Sequence, residues 1–508
     1  MVLPKLLEGA SSFNVQTVVL FVVVLLLTIA WIRRPRNLPP GPPAWPIIGN
    51  TRGLQKGAMH LVMTDWARQY GRIMSVWMGP RLAVVLNDIE AVKEALTKQA
   101  DSFSKRYVTP RARISLSVKG SFILSNGEVW KERRRFGLSA MRTLGMGKRS
   151  VEHKITEEAR HLLECFDGEG EKPFDPEHAI LNAVSNIICM ISFGYRFEYS
   201  DPKFARLIKL VKLNLSGSSF AMLGNLFPFL FYTPLYRENR DRLQAIAVFI
   251  KEVVKEHKES FDPNDIRDII DMCLLEIQQV EKTGEAGDKT GGEGDCEPVL
   301  SQETIWRGIY DLFLAGTDTT TNTLMWLLIY MAVHPDVQKA VQKEIDDVIG
   351  SDRQPTFEDR NQMPYTNAVL LETLRVRPVA PNALPHETVN ETRLLGFTLP
   401  AKTIVYVNIW AIHQDPTCWK DPEKFNPSRF LSQGGKTVER PEALIPFGLG
   451  RRICMGETLA KMEMFLFFVN LLQRFTFSLP TGKPRPSLDG VAGITLSPHP
   501  YEVIATKR

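Results

Sequence analysis

One ten-residue stretch, Phe447-Gly448-Leu449-Gly450-Arg451-Arg452-Ile453-Cys454-Met455-Gly456, constrains the fold of this chain more than any other, because it sets a single cysteine in a glycine-rich loop that runs straight into a helix. Gly448, Gly450 and Gly456 let the backbone approach a flat ligand closely and aim N–H groups at sulfur. The helix opening near Met455 adds its positive end, which favours a thiolate over a thiol. A metal-binding thiolate is one reading, and a small buried hydrophobe is the other. Zinc drops out, since the nearest candidates, Cys418 and His413, lack the C-x-x-C or H-x-x-x-H spacing of a local tetrahedral set.

The N-terminus carries the second signal. Residues 15–32 are interrupted by no polar side chain except Gln16, Thr17 and Thr28, and Arg33, Arg34 and Arg36 follow at once. That run is long enough to span a bilayer, and the arginines place its C-terminal side in the cytosol. No small-x-small cleavage site follows, so residues 1–34 read as an uncleaved signal-anchor. Pro39-Pro40-Gly41-Pro42-Pro43 makes residues 35–49 a stiff extended hinge. The formal net charge of +5 on 508 residues is too slight to imply nucleic acid. Cys165, Cys189, Cys273, Cys296, Cys418 and Cys454 show no framework spacing, which reads as reduced thiols on the cytosolic side.

Residues 50–508 form the body. Short strand-like runs at 74–78 and 82–86 alternate with helical patterns at 59–70 and 88–98, so a small mixed lobe is expected first. Amphipathic helices then dominate to Arg377, broken at 281–298 by a Gly-, Glu-, Asp-, Lys- and Thr-rich segment expected to be a disordered surface loop. Strand propensity returns over 393–407, and a last helix is predicted over 457–475. The fold class is mainly α with small β-sheets, in a single domain behind the anchor.

Two helices carry polar groups that need a reason. Residues 311–332 read as a long buried helix, apolar except at Ala315-Gly316-Thr317-Asp318-Thr319-Thr320. Gly316 removes bulk that would collide with a ligand on the helix, and Thr319 can bond back to the Ala315 carbonyl, bending the helix and opening a groove that suits O2. Asp318 and Thr319 then form an acid–alcohol relay able to deliver protons without flooding the site with water. The alternative is an ordinary helix with threonines bonded to their own backbone. Glu372 and Arg375 lie three apart on a helix ended by Pro378 and can pair.

The spacing F-x-x-G-x-R-x-C-x-G at Phe447, Gly450, Arg452, Cys454 and Gly456 resembles that of the cytochrome P-450 family of haem-thiolate monooxygenases, and the resemblance covers almost everything after the anchor. It implies that family's single-domain fold and haem b with Cys454 as the axial iron ligand. Phe447 and Gly456 in the same loop, and Ala315 on the long helix, would lie against the haem. Trp130, Arg134, His386 and Arg452 would contact its propionates, with Arg106 a further candidate. Arg429, in Phe425-Asn426-Pro427-Ser428-Arg429-Phe430, would join Glu372 and Arg375 in a buried network that locks the cysteine loop.

The resemblance also implies O2 as substrate and, as electron donor, an acidic flavoprotein, NADPH-cytochrome P-450 reductase, with cytochrome b5 as a second partner. Lys131, Arg133, Arg135, Arg142, Lys148 and Arg149 form the expected docking face. The aromatic run 220–236 reads as a second contact with membrane lipid, through which lipophilic substrates would enter. Pocket-lining positions are implied in 108–122, 312–319 and 379–383 and near Ile494.

The expected protein is thus an endoplasmic-reticulum enzyme with its catalytic body on the cytosolic face, similar to animal family two and its subfamily U, whose members hydroxylate long-chain fatty acids. Its reaction would be hydroxylation or epoxidation of a fatty acid, steroid or xenobiotic. A haem-thiolate isomerase of lipid peroxides needs no proton relay, so Asp318 and Thr319 speak against it. A membrane haem protein acting as carrier would not need an apolar pocket.

Overall fold

A computed structural model describes residues 18–25, 35, 37–54, 57–115, 118–215, 224–283 and 298–508. Most of the expected anchor, most of 281–298 and the start of the 220–236 run lie outside the described residues.

The first lobe follows the sequence pattern. Helix α1 (Met59–Tyr70) stops at Gly71, whose φ of 91° few other residues adopt. Strands β1 (Ile73–Met78) and β2 (Arg81–Leu86) pair antiparallel around Gly79. Asp88 then caps a short helix, Ile89–Lys93, by accepting from the Ala91 N–H at 2.7 Å, and a π-helical turn, Glu94–Lys98, follows. The 88–98 pattern therefore splits into two helical forms.

The sheet does more for the site than for the core. β2 runs parallel to Ile404–Val407, which pairs with His386–Glu387, and these pair in turn with Lys105–Arg106. Labelling these β3 (Lys105–Arg106), β4 (His386–Glu387) and β5 (Ile404–Val407), the order is β1-β2-β5-β4-β3. Arg106 and His386, 280 positions apart, thus face each other in register. The 393–407 region holds β5 preceded by a small hairpin of Thr392–Leu394 and Phe397–Leu399.

The helical body is built on α2 (Gly127–Thr143), α3 (Arg149–Glu169), α4 (Glu177–Ser192), α5 (Ile305–Val333), α6 (Pro364–Val376) and α7 (Glu457–Arg474). α5 runs through the centre against α4 and α7. It begins six residues before the position the sequence suggested, because Arg307 and Asp311 lie one turn apart and pair with each other in the interior. Phe122, at the end of the 108–122 segment, is buried against Gly137 of α2 and Gly308 of α5, where added Cβ atoms would stand 3.2 and 2.6 Å from its ring.

Candidate functional site

The cysteine loop is held before any ligand is considered. The Cys454 N–H donates to the Phe447 carbonyl at 3.0 Å, closing the loop on itself. Gly450 has φ 77°, and a Cβ there would come within 2.1 Å of the Leu96 carbonyl of the π-turn. Its smallness serves packing against the protein's own backbone, not the approach of a ligand. Gly456 precedes α7, and its N–H and that of Glu457 point at the Cys454 sulfur.

Burial nevertheless pushes the Cys454 thiol up from its ordinary range, more than those N–H groups and Arg134 draw it down. The helix end draws the Cys454 thiol toward thiolate without by itself making one. A metal cation bonded to sulfur would make one, since a coordinated thiol is deprotonated outright. Cys454 remains exposed although it sits deep in the chain. Among the other described cysteines, Cys189 and Cys273 are core residues with thiols pushed up by burial.

Beside the loop gathers a set of cations. Arg452 is buried; it donates to the Ser104 and Ser125 carbonyls at 2.9 and 2.8 Å and to Asn126 Oδ1 at 3.0 Å, and it lies 3.6 Å from the Trp130 ring centroid. Arg134, one turn after Trp130 on α2, donates to the Ile453 carbonyl at 2.7 Å. Arg106 donates to the Leu384 carbonyl, and His386 bonds the Phe103 carbonyl through Nδ1 at 2.8 Å. Burial, followed by the charges of Arg106 and Arg134, holds Arg452 down to about 8. Burial and Arg134 hold Arg106 to about 10. His386 is driven far below the usual imidazole range by burial and Arg106. Among the described residues no ion pair neutralises these three guanidiniums. Such a set fits a buried dianion.

The middle of α5 is partly as expected. Thr319 Oγ1 donates to the Ala315 carbonyl at 2.8 Å, and Thr323 and Thr321 repeat the pattern. Ala315 is exposed and Thr319 half-buried although much of the helix is buried, so open space reaches this turn. Gly316 corrects the sequence reading: a Cβ there would come within 2.3 Å of Ile188 Cδ1, so this glycine admits α4, not a ligand. Asp318 is not bonded to Thr319. Its Oδ2 accepts from Asn322 Nδ2 at 2.9 Å and Thr495 Oγ1 at 2.6 Å, and desolvation raises its pKa.

Glu372, Arg375 and Arg429 are bonded to one another in the described structure. Arg375 grips Glu372 with two bonds of 2.7 and 2.8 Å, and Arg429 adds one of 3.1 Å. Arg375 also donates to the carbonyls of His413 and Pro422, both at 2.8 Å. His413 Nε2 then accepts from the Ile445 N–H at 3.0 Å, two residues before Phe447. The link from network to loop thus runs through His413.

The basic face needs one correction. Arg133 is fully buried, donating to the Pro298 and Val299 carbonyls at 2.9 and 2.7 Å, so it cannot belong to a docking surface. Lys131 and Arg135 are exposed but paired to Glu128 and Glu132, while Arg142, Lys148 and Arg149 are exposed.

A family model described as Cytochrome P450 matches residues 39–505. The chain belongs to the cytochrome P450 family. Cytochrome P450 2U1 of Mus musculus is 41% identical over 513 residues, spanning 96% of this chain and 94% of that protein. The human cytochrome P450 2U1 is 40% identical, spanning 96% of this chain and 92% of that protein, and human cytochrome P450 2J2 is 39% identical, spanning 96% of each. P450 homologues are oxidoreductase monooxygenases, and the family binds haem iron through a cysteine thiolate. The donor chemistry fits: a sulfur within reach of N–H groups, and guanidiniums gathered for carboxylates. Sequence reasoning missed Asn126, which bridges Arg106 and Arg452, and Thr495. An asparagine just before a helix start was the available sign of the first.

Proposed function

We propose that this P450 is a membrane-anchored monooxygenase that hydroxylates or epoxidises a lipophilic fatty acid, steroid or xenobiotic with O2 and electrons from NADPH-cytochrome P-450 reductase. The observation that carries it is the Cys454 loop beside the unneutralised arginine cluster, in a chain matched to the family over residues 39–505. Bound haem would supply the reductive splitting of O2: one atom enters the substrate, the other leaves as water, and two electrons and two protons are consumed.

The chain's own residues take the other parts. Cys454 would ligate iron, and Phe447, Gly456 and Ala315 would lie against the haem. Trp130, Arg134, His386 and Arg452, with Arg106, would orient and neutralise the propionates. Thr319 and Asp318 would hand protons inward, and the Glu372–Arg375–Arg429 network would keep the loop in register.

The substrate and membrane readings rest on exposed apolar surface. Residues 18–25 are helical, with Leu20 64% and Phe21 66% exposed, which supports the anchor; among the described residues no helix is long and apolar enough to cross a membrane. Phe229, Tyr232 and Leu235 are exposed, as are Trp45 and Ile47, while Phe231 and Tyr236 are buried. This mixture supports a second lipid contact in part of 220–236. An endoplasmic-reticulum location facing the cytosol, with cytochrome b5 as an accessory donor, completes the reading.

The test is direct. Incubated with reductase, NADPH and a mixed lipid and steroid extract, the enzyme should add one oxygen atom to apolar compounds. Cys454→His should abolish both that activity and the strongly red-shifted band of the reduced carbon monoxide complex. Retention of that band in Cys454→His would remove Cys454 as the ligand.

A further inference from the structure

The C-terminal hairpin and the acid of α5 are built as one unit. Val491–Ala492 pairs antiparallel with Leu496–Ser497, and the Gly493 N–H donates to the Thr495 carbonyl at 2.8 Å, so the turn between the strands is tight. Its base is fixed: the Leu496 N–H donates to the Val379 carbonyl at 2.9 Å, and Trp326 Nε1 on α5 donates to the Leu496 carbonyl at 3.1 Å. Its tip is not covered, since Ile494 is 51% exposed. Thr495, the next residue, sends its hydroxyl the other way, onto Asp318 Oδ2 at 2.6 Å.

We propose that Thr495 is a positioning residue for proton delivery, holding the Asp318 carboxyl through this hydrogen bond and tying it to the hairpin whose tip carries Ile494. The argument is geometric. Asp318 makes no bond to Thr319, and both donors on its Oδ2 lie elsewhere: Asn322 one turn along α5, and Thr495 across the hairpin. Asn322 sits on the same helix and moves with Asp318. Thr495 is the tether to a different element, so only it can fix the carboxyl relative to the hairpin. The charges acting on the carboxyl from neighbouring helices, Glu177 and Lys212, pair with each other at 2.5 Å and oppose each other in effect. Without the Thr495 hydroxyl, only the Asn322 bond within α5 would restrain the carboxyl.

This inference rests on the monooxygenase reading, and the experiment separates the two. In reductase-supported turnover, Thr495→Val keeps the shape of the side chain and removes the donor. Product formed per NADPH should fall about tenfold, the factor carried by one hydrogen bond to a charged group, with the difference appearing as hydrogen peroxide. The solvent deuterium isotope effect on product formation should rise. Haem content should not change. The Asp318 infrared carboxyl band, identified by its loss in Asp318→Asn, should shift in Thr495→Val and return in Thr495→Ser along with coupling. Wild-type coupling in Thr495→Val, or failure of Thr495→Ser to restore it, overturns the proposal while leaving the monooxygenase reading intact. If Thr319→Ala leaves coupling unchanged, the relay itself falls and Thr495 with it.

Discussion

Two arginine clusters flank the cysteine loop, and they are built on opposite principles. On one side Glu372 takes two bonds from Arg375 and one from Arg429, and backbone carbonyls of the 413–424 segment take the remaining donors. On the other side Arg106, Arg134 and Arg452 donate to carbonyls and to Asn126, and Arg106 and Arg134 each lower a neighbouring guanidinium's affinity for its proton. Charge paired inside the chain stabilises the chain; charge left to repel its like stabilises whatever anion comes between. On the reading proposed above, the first cluster would serve folding and the second ligand binding, although both are arginine clusters near one loop.

The largest effect that can break this distinction is Glu372→Ala. It strands Arg375, fully buried, without its carboxylate, and removing one partner of a buried pair costs about 3–5 kcal/mol. Equilibrium unfolding in denaturant should show that loss with or without haem. A variant as stable as the wild type would mean that carbonyls alone neutralise Arg375, and the contrast between the clusters would disappear.

Arg134→Met should behave in the reverse sense. It removes a cation that opposes its neighbours and makes one bond to the Ile453 carbonyl, so the haem-free protein should unfold within about 1 kcal/mol of wild type. Haem retention should fall about tenfold, the factor of one charge-assisted hydrogen bond, measured as the rate of haem transfer to a scavenging protein. Equal losses in both assays would show that Arg134 serves the fold.

Two histidines extend the comparison to pH. Burial and Arg375 hold His413 down to about 3, and burial and Arg106 drive His386 far below the ordinary value near 6.5. The unfolded chain takes up a proton at each in the ordinary imidazole range while the folded chain refuses it. Stability is therefore complete above that range and is lost as pH falls from 6.5 toward about 3, by up to about 1.4 kcal/mol per pH unit for each histidine. His413→Asn should flatten that slope in haem-free and haem-loaded protein alike. His386→Asn should flatten it only in haem-free protein, because propionates beside His386 would favour its charged form. Thermal unfolding across this range reads both.

What the sequence made legible was local in the chain. Phe447 to Gly456 carries its spacing within ten residues, Glu372 and Arg375 share one helix turn, and Thr319 bonds a carbonyl four residues back, so the pattern reached the geometry. Thr495 meets Asp318 across 177 positions and His413 meets Ile445 across 32, and no spacing rule connects such residues. Gly316 and Gly450 were read as room for a ligand, whereas each makes room for the chain itself, at Ile188 and Leu96. The apolar run 15–32 read as a membrane anchor is described only at residues 18–25, and among the described residues no helix is long and apolar enough to cross a membrane.

Arg133, Arg134 and Arg135 bring the comparison onto one helix and set its lower limit. Their fates follow from helical spacing: Trp130, Arg133, Gly137, Ala140 and Met141 recur at three and four residues, which puts Arg133 on the buried face, while Arg135 points to water. Arg135 is 79% exposed and pairs with Glu132 one turn before it on the same helix, an arrangement worth 0 to about 1 kcal/mol after solvent screening. Arg135→Ala should therefore leave unfolding and haem retention at wild-type values. Its effect, if the exposed basic residues receive an acidic reductase, falls on the encounter: association should slow about twofold at low ionic strength and match wild type in high salt, where the field is screened. Stopped-flow reduction at two salt concentrations measures it. A loss of stability would place Arg135 in the folding cluster, and a salt-independent rate would remove it from the docking face, leaving Arg142, Lys148 and Arg149 to carry that role.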